Sequence, residues 1–317
     1  MDAVFDAVRS FLSYLGSIAW WAVALALLCH VVKMAARSRA LRNAVAAAYP
    51  EERVPWRTVA GAYTAGIGVN TLVPARGGDL LQLFLIRRNV EHASYPTLAA
   101  TLLVLALFDT VVASGLLVWA LLATDALPGL DVVPRLPAVE WLWLYQHPRA
   151  AAAVTAALVL VAFAAGVWSA KHIHAFRARV AQGFAVLRSP LHYLRSVAAW
   201  QAVDWGLRVA TVLLLLRAFD IPATITNGLL AQVAGSLATI LPLTPSGIGT
   251  EQALLAYVLR GEASTGALLS FSVGMRLVLG AANVVLGFAA IALMLRTLRW
   301  RGVVDHQAEP EPARSDG

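Results

Sequence analysis

The chain has 317 residues, 59% of them hydrophobic and only 14% charged, with a mean hydropathy of +0.70. A soluble domain keeps roughly a quarter of its residues charged, so this composition excludes an ordinary soluble protein and describes a polytopic membrane protein. The net charge of +7 does not point to nucleic acid, because the basic residues cluster beside apolar runs, where they act as topology signals and lipid contacts.

A helix needs about 20 apolar residues to cross a bilayer. The first such run, near 12–34, is too long for the core of a signal peptide. With Lys33, Arg37 and Arg39 following it as a stop signal, it is expected to be a retained anchor. Its Cys29 is the single cysteine of the chain, which excludes an internal disulfide and a cysteine-built metal site. The basic stretches 38–49 and 171–195 read equally well as interfacial helices on the cytoplasmic surface or as solvated connectors.

The segment 57–88 is different, because a polar break interrupts it: Asn70-Thr71-Leu72-Val73-Pro74-Ala75-Arg76-Gly77-Gly78-Asp79. Full spans follow near 97–123, 150–170 and 197–218. Between the first two lies the loop 124–149, which carries Trp141, Trp143 and Tyr145, an aromatic interface group. The segment 223–260 then repeats the interruption as Leu241-Pro242-Leu243-Thr244-Pro245-Ser246-Gly247-Ile248-Gly249-Thr250-Glu251. A last run covers 266–295, long enough to hide a break at Gly274 or Gly280. Residues 303–317, rich in Glu, Pro, Asp and Ala, are expected to form a disordered cytoplasmic tail beyond a membrane domain at 1–302.

Each break has a proline, two glycines and then a carboxylate, and each following apolar run ends in an arginine at the same spacing, Arg88 and Arg260. Unwound backbone survives at membrane depth only where it lines a cavity, and paired interruptions in two halves mark transporter sites. The expected fold is therefore all-α, with inverted repeats, two re-entrant helical hairpins and about five full spans. Basic residues after the first, third and last spans place the N-terminus outside and the C-terminus in the cytoplasm. Three spans between the hairpins make them enter from opposite faces, although an ordinary helix pair in place of each hairpin preserves the same charge pattern.

Ionisable residues inside spans cost several kcal/mol unless paired or wet, and so stand as functional candidates. Arg76 sits on the first break, beside Gly77 and Gly78, whose bare backbone lets a ligand approach. A guanidinium next to a restarting helix N-terminus suits a phosphate group. Ser246, Gly247, Gly249 and Thr250 offer a similar donor-rich end at the second break. Asp79 and Glu251 either join this site or serve as first-turn acids satisfying their own helix N–H groups. Asp204 and Arg208 are one helical turn apart and suited to pair. Asp109 and Arg276 lie mid-span, positioned to pair with each other or with the hairpins. No phosphate-binding loop for ATP and no catalytic-serine motif is present, and His172, His174 and His192 lack the carboxylates of a metal site. No cofactor and no metal are expected.

The sequences Pro74-Ala75-Arg76-Gly77-Gly78-Asp79-Leu80-Leu81 and Leu241 to Glu251, with Asp109, Asp204 and Arg276, resemble the flippase-like membrane domain of lysylphosphatidylglycerol synthases. The likeness covers roughly 10–300, and departs where the family usually has Glu and this chain has Asp79. The resemblance implies a stand-alone member without the soluble aminoacyltransferase domain, located in a bacterial-type plasma membrane. It implies handling of a phospholipid or lipid-linked anionic head group and does not imply aminoacyl transfer. The expected partners are anionic or lipid-linked membrane lipids. A homodimer and a separate transferase partner both remain open, as does the alternative that the protein is a lipid-modifying enzyme or presents lipid to one.

Overall fold

The computed structural model describes residues 18–73, 77–123, 173–240 and 249–307. Nine helices follow in these segments: α1 (Trp20–Ala48), α2 (Trp56–Leu72), α3 (Gly77–Asn89), α4 (Tyr95–Ala123), α5 (Ile173–Gly183), α6 (Pro190–Ala218), α7 (Ile225–Ile240), α8 (Thr250–Val258) and α9 (Thr265–Gln307). Apart from one isolated bridge between Arg260 and Ala263, the described residues contain no β-structure. The fold is all-α, as expected. The expected span at 150–170 and the loop at 124–149 lie outside the described residues.

Local chemistry sets the helix ends. Pro55 is extended at φ −69° and ψ 133° and starts α2. Val73, which precedes Pro74, closes the same helix in an extended conformation at φ −101° and ψ 121°, as the steric demand of a following proline requires. Ser94 Oγ accepts the Thr97 N–H at 3.3 Å and caps α4. Pro190 occupies the first turn of α6, which passes through a π turn at Leu194–Ala198 before continuing as α-helix.

Two sequence expectations change. The first run does not stop at Lys33: α1 is one helix of 29 residues, about 43 Å long at 1.5 Å per residue. The stretch 38–49 is therefore its end and not a separate interfacial helix. Arg37 is the reason, since it turns inward to carboxylates instead of marking a water boundary. The last run is likewise a single unbroken helix, with no interruption at Gly274 or Gly280, and it continues to Gln307.

Among the described residues four helices, α1, α4, α6 and α9, are long and apolar enough to cross a membrane. Only 6% of the apolar window of α9 is buried against protein, and Leu277, Val285, Phe288 and Leu293 point outward. An apolar surface of this extent is unsuited to water and fits lipid. The chain is a multi-pass integral membrane protein.

Two apolar cores occupy opposite ends of the bundle. One joins Ala22, Val23 and Ala26 of α1 to the end of α6 and to α7, α8 and the start of α9. The other joins Ala40 to Ala48 of α1 to α2, α3 and the start of α4. Helix α1 runs through both and packs along α6, while α2 packs on α3 and α9. The middle of α1, from His30 to Arg37, lies between the two cores.

Candidate functional site

That middle stretch carries a polar layer. His30, Lys33 and Arg37 are spaced three and four residues apart, which places them on one face of α1. The Arg37 guanidinium grips Asp109 of α4 in a bidentate pair, with N–O distances of 2.8 and 2.5 Å. Its Nη1 also lies 3.8 Å from Asp204 of α6, a carboxylate with no solvent exposure. Arg208, one turn beyond Asp204, donates to the same carboxylate at 2.9 Å. The Trp205 indole N–H adds a hydrogen bond to Asp109 at 3.0 Å, and Arg208 lies over the Trp205 ring, 5.0 Å from its centroid. From α9, Asn283 meets His30 at 2.8 Å.

Lys33 and Tyr63 of α2 stand within electrostatic reach of this cluster. Three cations, Lys33, Arg37 and Arg208, thus face two carboxylates, Asp109 and Asp204. Among the described residues Lys33 has no hydrogen-bond or ion-pair partner. Asp204 Oδ1 and His30 Nδ1 are buried without a partner among the described residues, and a buried polar atom left unpaired costs about 1–3 kcal/mol. The layer is therefore net positive and has spare bonding capacity. It lies about 20 Å along α1 from Trp20, near the middle of the helix.

The first break is tied together by one side chain. Asn70, in the last turn of α2, accepts the Gly78 N–H at 2.8 Å and donates to Asp79 Oδ1 at 2.7 Å. The two helices touch there through glycine: a Cβ on Gly78 would overlap the Gly66 carbonyl oxygen and sit 2.8 Å from the Asn70 nitrogen. Gly68 packs in the same way against Gly287 of α9, where a Cβ would lie 2.6 Å from the Gly287 Cα. Small residues at such crossings let backbones approach closely. Gly77 opens α3, and Asp79 lies in its first turn.

At the second break Gly249 adopts φ +90°, a conformation suited to glycine. Its N–H donates to the Gln252 side chain at 2.7 Å, and Thr250, mostly buried, begins α8. Glu251 is in the first turn of α8 but reaches across to Arg276 of α9 at 3.0 Å. Both side chains are about one-third exposed.

Of the sequence candidates, Gly78 and Asp79 meet at Asn70 with Gly77 opening the same helix, and Gly249, Thr250 and Glu251 lie together at the foot of α8. Asp204 pairs with Arg208 as its spacing suggested. Asp109 does not pair with Arg276: α1 supplies its partner, and Arg276 goes to the second break. Arg76, Ser246 and Gly247 lie outside the described residues. Sequence reasoning missed His30, Lys33, Arg37, Trp205 and Asn283. The available signal was the helical period of His30, Lys33 and Arg37, a polar face within an apolar run.

At the surface, Glu52, Glu91 and His92 bring ligand atoms within 4.8 Å of one another. The His92–Glu52 hydrogen bond of 2.9 Å accounts for that grouping without an ion, and the Glu52 carboxylate holds the His92 imidazole above its usual pKa.

Comparison with curated proteins and with solved structures finds no match. A family model described as the lysylphosphatidylglycerol synthase TM region does match, over residues 3–287. A match of this length shows that the chain belongs to the family of lysylphosphatidylglycerol synthase TM regions, which suggests a membrane lipid-related function.

Proposed function

We propose that the protein is a flippase-like transporter that carries the anionic head group of a phospholipid or lipid-linked substrate through its polar interior. The observation that carries this reading is the net-positive layer around Lys33, Arg37 and Arg208, set between two apolar cores. Charges at this depth are expensive and default to a substrate pathway. A cation without a carboxylate partner suits a phosphate. In this reading the head group is also bound by the residues of the two breaks, Arg76, Gly77, Gly78 and Asp79 at one, and Ser246, Gly247, Gly249, Thr250 and Glu251 at the other.

Lipid movement in liposomes tests this. Wild-type protein is expected to scramble a fluorescent phosphatidylglycerol faster than a phosphatidylcholine. A charge-assisted hydrogen bond contributes about 1.5–3 kcal/mol, so Lys33→Gln should slow the anionic lipid by about ten- to hundredfold, while Lys33→Arg keeps most of the rate. Lys33→Gln moving phosphatidylglycerol at the wild-type rate would overturn the reading, as would equal transport of both lipids.

The helix lengths support re-entrant hairpins. With 13, 16 and 9 residues, α3, α7 and α8 extend about 20, 24 and 14 Å, short of the ~30 Å hydrocarbon core. The α2–α3 pair then enters and leaves by one face and the α7–α8 pair by the other. With Cys29 replaced by serine, single cysteines at Arg57 and Asn89 should label from the same side, and those at Ile225 and Arg260 from the opposite side. Labelling of the two ends of one pair from different faces would replace that hairpin with two crossings.

A further inference from the structure

We infer that the outer surface formed by α3, α4 and α5 carries a second lipid site, separate from the charged layer, which holds an anionic phospholipid of the adjoining leaflet. Two cavities meet there. The first, of about 630 Å³, is polar and is lined by Arg87 and Arg88 at the end of α3, Glu91 in the following turn and Arg179 of α5. The second, of about 830 Å³, is apolar and is lined by Leu83, Phe84, Ala99, Leu103, Phe176 and Val180. Tyr95 and Pro96 belong to both, so the basic pocket opens directly onto the apolar groove.

That continuity separates a lipid site from a solvated basic face. Three arginines line the pocket against Glu91, with Glu52 beside it engaged by His92, so the lining stays basic and favours a phosphate, which guanidinium groups bind through paired N–H donors. The groove runs from this basic end along helices that face lipid, as the exposure of Phe84, Leu103 and Phe176 shows, so an acyl chain can lie in it while its phosphate stays at the arginines. Arg87 is already oriented, its guanidinium carbon 4.4 Å from the centroid of the Tyr95 ring. A lipid seated here touches α3 with Arg87 and Arg88, and α5 with Arg179. Helix α5 otherwise docks on α4, where Gly183 packs against Ala100 and the Thr97 carbonyl, and on the end of α1, where Gln182 donates to the Ala48 carbonyl at 2.8 Å. The bound lipid therefore adds a link between the amphipathic α5 and α3, beside the contacts α5 already makes with α4 and α1.

The test uses full-length protein in detergent with phosphatidylglycerol or phosphatidylcholine carrying a photoreactive acyl chain, followed by peptide mapping. Phosphatidylglycerol is expected to label the peptides around Phe84, Leu103 and Phe176. Arg87→Gln with Arg179→Gln should reduce that labelling by about tenfold, and phosphatidylcholine should label to the same low level. Ala99→Trp fills the groove, leaves every charge in place, and should also remove the label. Lys33→Gln should leave the labelling unchanged, so the result is independent of the transport reading. Equal labelling by both lipids, unaffected by the arginine substitutions, would show nonspecific lipid contact and overturn the proposal. Loss of the label on adding inorganic phosphate alone, with Ala99→Trp still binding, would show a free-anion site and also overturn it.

Discussion

Arg37→Met is expected to remove most of the folded protein. The substitution keeps a side chain of similar length but leaves Asp109 with the Trp205 N–H as its one hydrogen-bond partner among the described residues and takes the Arg37 cation from Asp204. Removing one member of a buried ion pair costs about 3–5 kcal/mol, because the remaining charge is stranded in a medium that solvates it poorly. Total stabilities of 5–15 kcal/mol are usual, so the variant should show a strongly lowered melting temperature in detergent and little monodisperse protein. Pairing it with Asp109→Leu should recover much of that loss, since the stranded carboxylate is then gone and Asp204 keeps Arg208. A single variant as stable as wild type would mean that water, and not Arg37, solvates Asp109.

Gly78→Ala should be the most damaging single methyl group at any described glycine. Its Cβ meets the Gly66 carbonyl and the Asn70 backbone, neither of which can rotate away as a flexible side chain would. Helix α3 has to withdraw from α2, breaking the Asn70 bridge to Gly78 and Asp79. Overpacking of this kind costs about 1–3 kcal/mol, and the displaced break should reduce lipid movement more than it reduces stability. Gly77→Ala is the control, because its nearest contact is a Val73 methyl at 3.3 Å, which can give way. Equal behaviour of the two variants would show that the close α2–α3 approach is not needed.

Much of the architecture is written in local chemistry. The apolar runs specify helices because a backbone in lipid must satisfy its own hydrogen bonds. Pro74 ends α2 through its effect on Val73, and Gly249 begins α8 in a conformation that other residues adopt only under strain. Asp204 and Arg208 pair because one helical turn brings them together. These features depend on residues near each other in sequence, and no knowledge of the rest of the fold is needed to read them.

The charged layer is another matter. A lysine and an arginine after an apolar run look the same whether they stop at the membrane surface or continue into a buried cluster. What decides is the presence of a carboxylate on another helix at the same depth, and Asp109 is 72 residues away from Arg37. Asp109 and Arg276 are opposite charges in mid-span, placed by the sequence to pair with each other or with the hairpins; α1 packing against α4 gives Asp109 the Arg37 cation instead, while Arg276 does meet Glu251 at the second break. The sequence by itself determined that this is an all-helical membrane protein with two interrupted segments. Only the tertiary packing decided which charges meet between helices, because helix crossing and depth, not spacing along the chain, set the distances over which those ion pairs form.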